Sequence, residues 1–234
     1  MNKKLFITPD WPAPSGIQAY TTLKASNVSQ PPHTKLNREQ VVQILKLPNE
    51  PTWLHQIHSD IVLPAHPENT GKDADASYSN QVNQICIIQT ADCLPILLCN
   101  KQGTHIAAIH AGWRGLAKNI IAKTIQTLQQ PGSELLAWIG PGISQPNYEV
   151  GDEVRKTFID NDPETASAFI PSPNQRWLAD LYAIAKLQLR KQKVTAIYGA
   201  DFCTYSDEKN FFSYRRDGVD TGRIVSAIWL QKKF

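Results

Sequence analysis

Between residues 84 and 130 three apolar runs and one amphipathic stretch follow one another, with the reactive residues gathered at the seams. The runs are QICIIQT (84–90), LPILLCN (94–100) and THIAAIHA (104–111). Each is short, rich in isoleucine or leucine, and bounded by turn formers, so each is predicted as a buried strand. NKQG (100–103) separates the second from the third and predicts a hairpin. LAKNIIAKTIQTLQQ (116–130) then places Leu116, Ile120, Ile121, Thr124, Ile125 and Leu128 on one side of a helix. Strands that pair with one another and also alternate with helices require a mixed sheet in an α/β or α+β domain.

The rest of the chain extends this pattern. Helices are predicted over 38–47, 151–160 and 178–192, and strands over 52–60, 134–140, 194–200 and 222–230. The proline-bearing stretch 26–37 reads as a loop. No composition shift marks a boundary, so residues 1–234 are expected to form a single domain. A chain of this size buries roughly three quarters of its surface and needs no disulfide staples. Cys86, Cys93, Cys99 and Cys203 are therefore expected as free thiols or ligands. The net charge of +3 argues against a nucleic-acid binder. No stretch has the length or apolarity of a signal peptide or membrane span, which predicts a soluble cytoplasmic protein with no membrane partner.

The seams carry the candidate chemistry. His110 closes the third run and is followed by Gly112-Trp113-Arg114-Gly115. Glycines permit unusual backbone angles, and a helix N-terminus beside Arg114 is a ready anion site. The plainer alternative is a tight turn with Trp113 packed and Arg114 solvated. Cys93 follows Asp92 in the break between two core strands, where it is either a ligand or a buried structural thiol. In HQIHS a helix would put His55 and His58 on one face, where both could bind one metal, whereas an extended backbone sends them to opposite faces, so only one reaches a given site. His58, Cys93 and His110 together offer two imidazoles and a thiolate, a set that zinc binds while keeping a fourth position open. Their separations of 35 and 17 residues match no short zinc-finger spacing and fit a site assembled from strand ends, which spacing alone does not establish.

WLHQIHSD, DADASYSN, TADCLPILLCN, HAGWRG, WIGPGISQPNYEVGDEV and DFCTYSDEKNFFSYRRDGVDTGRIVSAIWL closely resemble a bacterial purine nucleoside phosphorylase family. That family was long labelled multicopper polyphenol oxidase, or laccase-domain protein. The resemblance runs from about Trp11 to the C-terminus. It implies a layered fold with a mixed β-sandwich between helices, related to cysteine hydrolases, and zinc held by His58, Cys93 and His110. It implies phosphorolysis of adenosine, inosine, guanosine and methylthioadenosine, with adenosine deaminase activity. The substrates are then a purine nucleoside and phosphate; the sequence leaves the oligomeric state open, with a monomer favoured. Within this reading Arg114 and Gly115 are the candidates for holding phosphate. Asp75 and Glu149 are candidates for moving protons, against a turn hydrogen bond and an ion pair respectively. Phe212 or Tyr214 could stack a purine, Arg215, Arg216 and Asp217 could form an ion-pair network, and Cys203 is expected to be structural. The chain departs from the family early. TTLKASNVS (21–29) has Leu23 or Lys24 where relatives carry arginine, and a histidine- and glycine-bearing segment is missing before residue 38.

Other readings stay open on sequence alone. Copper could replace zinc at the same three ligands and give a polyphenol oxidase activity. Six histidines are too few for four coppers in one chain. A metal-free hydrolase with Cys93 as nucleophile and His110 as base, such as a cell-wall-precursor amidase, uses the same residues differently. A non-catalytic interaction protein is the blandest alternative.

Overall fold

The computed structural model describes residues 4–29, 36–173 and 175–231. The N-terminal half holds β1 (Phe6–Ile7), β2 (Ile17–Thr22), α1 (Arg38–Leu45), β3 (Val62–Pro64), β4 (Ala76–Ser79), β5 (Ile85–Thr90), β6 (Leu94–Asn100) and β7 (Ile106–Ala111). There follow α2 (Trp113–Ala117), α3 (Ile120–Leu128), β8 (Leu135–Ile139), β9 (Glu149–Val150), α4 (Asp152–Asn161), β10 (Phe169–Ser172) and β11 (Arg176–Ala179). The chain ends with α5 (Leu181–Lys191), β12 (Ala196–Gly199), α6 (Tyr214–Asp217) and β13 (Ile224–Leu230).

Two sheets form the sandwich. One is antiparallel, in the order β1-β2-β13-β5. The other is mixed, in the order β12-β8-β6-β7-β4-β3, with β12–β8 and β3–β4 parallel. The period of two explains how β6 and β7 are buried throughout. Leu94, Ile96, Leu98, Ala107 and Ile109 meet the helices α3 and α5. Their neighbours Leu97, Cys99, Ile106 and Ala108 meet Cys86, Ile88 and Ile228 of the other sheet. On the far side of the antiparallel sheet, Val41 and Leu45 of α1 cover Ile85, Ile87, Val225 and Trp229. The mixed β-sandwich flanked by helices is thus present, and the β6–β7 hairpin has the expected partners, with Pro95 opposite His110. A small sheet, β10-β11-β9, has its middle strand β11 against α4.

Three expected elements differ. Residues 52–60 make only isolated bridges, Thr52 with Cys86 and His55 with Asp73, and His58 has φ 58°. The buried Asp75 carboxylate draws the chain into a turn there. The helix expected over 116–130 starts earlier, at Trp113, and is broken at Asn119, whose φ is 62°. The helix expected from 178 starts at Leu181, because Asp180 caps it by accepting from the Ala183 N–H at 2.9 Å. The residues before it pair as β11. Of the loop expected over 26–37, residues 30–35 lie outside the described residues. No helix among the described residues is long and apolar enough to cross a membrane.

Candidate metal centre

Three local devices bring His58, Cys93 and His110 to one end of the sandwich. His110 stands on β7 two and four residues from Ala108 and Ile106, so it faces the antiparallel sheet as they do. Cys93 lies in the link from β5 to β6, just after Asp92, which has φ 90°. The Asp92 carboxylate is buried and makes this link definite. It accepts from Thr204 Oγ1 and from the Arg215 backbone N–H, each at 2.6 Å. Its carbonyl accepts from the Ile143 N–H at 2.9 Å.

The third device is Asp75, which is fully buried. Its carboxylate accepts from the backbone N–H groups of Ile57, His58 and Ser59 at 3.3, 3.0 and 2.5 Å. It also accepts from the Ser59 hydroxyl at 2.6 Å and from His110 Nδ1 at 2.7 Å. One carboxylate therefore shapes the turn that carries His58 and fixes the ring of His110. With Nδ1 occupied, Nε2 is the nitrogen that His110 turns to Cys93. Burial opposes ionisation of Asp75, but these bonds outweigh it and hold the group at about 2.

The three ligand atoms lie within 4.8 Å of one another. Cys93 Sγ is 3.8 Å from His58 Nε2, and the two imidazole centroids are 4.8 Å apart, edge to face. Burial raises the Cys93 thiol, yet the charge and hydrogen bond of His110, followed by those of His58, draw it down to about 6. Burial lowers His110, yet the charge of Cys93 and the bond to Asp75 lift it to about 9. A thiolate, two imidazoles and an orienting carboxylate suit a metal ion, and the group could hold one. Gly112 makes the approach possible. A Cβ there would lie 2.8 Å from Cys93 Sγ and 3.0 Å from His58 Cδ2. Its φ of −76° is ordinary, so its missing side chain matters here and its backbone freedom does not.

The other sequence candidates fall in varied places. Gly115 is inside α2, against the Ser59 carbonyl, which a Cβ would meet at 3.2 Å. Arg114 is exposed and stacks on Trp113 at 4.4 Å. The Glu149 carboxylate is taken by Arg176 Nε at 2.6 Å and the Ser172 hydroxyl at 3.1 Å. Phe212 is packed against Gly222 in the core and has no face free for a base, whereas Tyr214 is exposed. Arg216 pairs with Asp217, but Arg215 does not join them and donates to the Glu149 carbonyl. Cys203 receives hydrogen bonds from the Ser144 hydroxyl at 2.9 Å and Asn147 Nδ2 at 3.3 Å. Leu23 is buried with Phe211, Phe212 and Ile224, while Lys24 donates to the Glu208 carbonyl at 3.3 Å. Sequence reasoning passed over Tyr148 and Arg223, both half-buried. Arg223 directly precedes β13, and that adjacency was its only signal.

A helix-flanked mixed β-sandwich with a His-Cys-His cluster between strand ends defines the class. Residues 16–231 match the family described as multi-copper polyphenol oxidoreductase laccase, and the chain belongs to it. It is 43% identical to a purine nucleoside phosphorylase of Pseudomonas aeruginosa, over 97% of this chain and 98% of that one. It is 41% identical to the purine nucleoside phosphorylase YfiH of Escherichia coli K12, over 96% and 98%. Protein NMB0706 of Neisseria meningitidis has the same fold, with a TM-score of 0.91 and 42% identity over 98% of this chain and all of that one. The resemblance carried by the sequence motifs is borne out.

Proposed function

We propose that this chain is a cytoplasmic, zinc-dependent purine nucleoside phosphorylase that also deaminates adenosine and accepts methylthioadenosine. The observation that carries the reading is the convergence of His58, Cys93 and His110 within 4.8 Å, in relatives' company that bears the phosphorylase name. The three side chains would hold the ion, with a fourth position left for substrate or water. Zinc when bound supplies Lewis-acid polarisation and a water of lowered pKa, the chemistry that deamination at C6 of adenine uses. The protein's own part is preorganisation. Asp75 keeps His110 in one tautomer and keeps the His58 turn in place, and Asp92 holds Cys93 at the mouth. In phosphorolysis the bond from C1′ to the base breaks, an orthophosphate oxygen bonds to C1′, and the base nitrogen takes a proton. Arg114 stands at the rim as a candidate to hold that phosphate. Incubation of the zinc-loaded protein with inosine and phosphate is expected to release hypoxanthine and ribose 1-phosphate. Free base without ribose 1-phosphate, or no product at all, removes the reading.

A second reading has its own observation. A thiol drawn down to about 6 beside an imidazole lifted to about 9 is a nucleophile–base pair as well as a ligand pair. A metal-free amidase would then retain full activity after chelation. Elemental analysis separates the readings, since about one zinc per chain fits the first, one copper the oxidase, and none the hydrolase.

A further inference from the structure

Three guanidinium groups near Cys93 make no direct salt bridge among the described residues. Arg215 arrives there because its backbone N–H donates to Asp92, the residue before Cys93. Its side chain lies over the ring of Tyr148, 5.1 Å from the centroid, and gives one Nη1 bond to the Glu149 carbonyl at 2.9 Å. Arg223 arrives by sheet register. Ile224 of β13 faces Thr90 of β5, and continuing the antiparallel ladder brings Arg223 level with Ala91, two residues from Cys93. Its Nη1 donates to the Thr221 and Gly222 carbonyls at 3.0 Å each. Arg114 follows Gly112, which abuts the Cys93 sulfur, by two residues.

Among the described residues none of these three arginines forms a salt bridge, whereas Arg176 pairs with Glu149 and Arg216 with Asp217. Asp92 is the nearby carboxylate, and its oxygens already accept from Thr204 and the Arg215 backbone. Arg114 and Arg215 are exposed, but Arg223 is half-buried, and a guanidinium taken from water without a directly paired anion is costly. Burial accordingly lowers its proton affinity, while the charges of Cys93, Tyr214 and Asp92 act on it. The hydroxyl of Tyr148, half-buried, has no hydrogen bond among the described residues.

We propose that Arg223 and Arg215, with the Tyr148 hydroxyl and with Arg114 at the rim, form a subsite beside Cys93 that binds a tetrahedral oxyanion, orthophosphate. Arginine forks suit it because they give paired N–H donors to two phosphate oxygens. The identity of the anion rests on the phosphorolysis reading above. The lack of a direct ion-pair partner among the described residues does not.

The test is direct titration of the full, zinc-loaded chain with inorganic phosphate by calorimetry, with ribose 1-phosphate as a second ligand. Arg223→Gln and Arg215→Gln are each expected to weaken phosphate by roughly 10- to 100-fold, the loss of a charge-assisted hydrogen bond. Zinc content is expected to stay at the wild-type value. Arg223→Lys is expected to recover only part of the loss, because an ammonium group lacks the fork. In turnover the KM for phosphate is expected to rise and that for nucleoside to hold. Unchanged phosphate affinity in both glutamine variants overturns the subsite, as does a loss confined to ribose 1-phosphate. Should Arg223→Gln misfold, Arg215→Gln and Tyr148→Phe carry the test. Arginine-dependent phosphate binding without ribose 1-phosphate production keeps the subsite and removes the phosphorylase reading. Production with an unaltered KM for phosphate does the reverse.

Discussion

Asp75 is fully buried, yet two of the three candidate ligand side chains depend on it. Its carboxylate collects three consecutive backbone N–H groups from residues 57–59, and the same group receives His110 Nδ1. An asparagine there keeps the volume but offers one acceptor oxygen, so part of this set is left unsatisfied in the core. Asp75→Asn is expected to weaken zinc binding by about 10- to 100-fold, as removal of a ligand's orienting partner does. Competition against a chromophoric chelator measures it, and affinity equal to wild type would rule out the positioning role. Gly112→Ala acts on the third ligand, since the new methyl would meet Cys93 Sγ at 2.8 Å. The three candidate ligands were legible as a thiol and two imidazoles near the ends of expected strands. The work of Asp75 was not, because its donors come from a loop whose shape depends on that same carboxylate.

At the scale of elements, legibility followed burial. β5 to β8 and β13 are bounded, uniformly apolar runs, and each appeared near its expected place. β9, β10 and β11 exist only through pairing with one another, as in Trp177 opposite Val150, and no local pattern announces that. The helix expected over 116–130 shows the opposite failure, a continuous periodicity interrupted by the backbone. Lys118 and Asn119 end α2, and Asn119 takes the left-handed conformation before α3 begins. The interruption lets α2 hold Trp113 and Arg114 beside the site while α3 packs on β7. Asparagine tolerates this conformation better than most residues, and alanine does not. Asn119→Ala is expected to cost about 1 kcal/mol, lowering Tm by roughly 2–4 °C for a chain of this length. Asn119→Gly is expected to leave Tm level or slightly higher. A thermal-unfolding comparison decides it, and equal Tm for alanine and glycine would show that the break carries no strain.

For the molecule as a whole, the four thiols sort by environment. Cys86 and Cys99 lie in the sandwich core, where burial pushes both up to about 12. They should stay unreactive until the chain unfolds. Burial also opposes ionisation of Cys203, but hydrogen bonds from Ser144 and Ser206 outweigh it and bring that thiol to about 7. Cys93 is the thiol a bound metal would engage. Alkylation of the native protein with iodoacetamide near pH 8 is therefore expected to label Cys203 alone when zinc is present. Removing zinc with a chelator should expose Cys93 as a second labelled position and leave Cys86 and Cys99 untouched. Since the thiolate reacts and its fraction grows with pH, Cys203 labelling should rise through a midpoint near 7 instead of the ordinary 9. Peptide mapping reads all four positions in one experiment. Labelling of Cys93 that ignores the chelator would mean the metal is not bound through that sulfur, and the hydrolase reading would then gain on the zinc one.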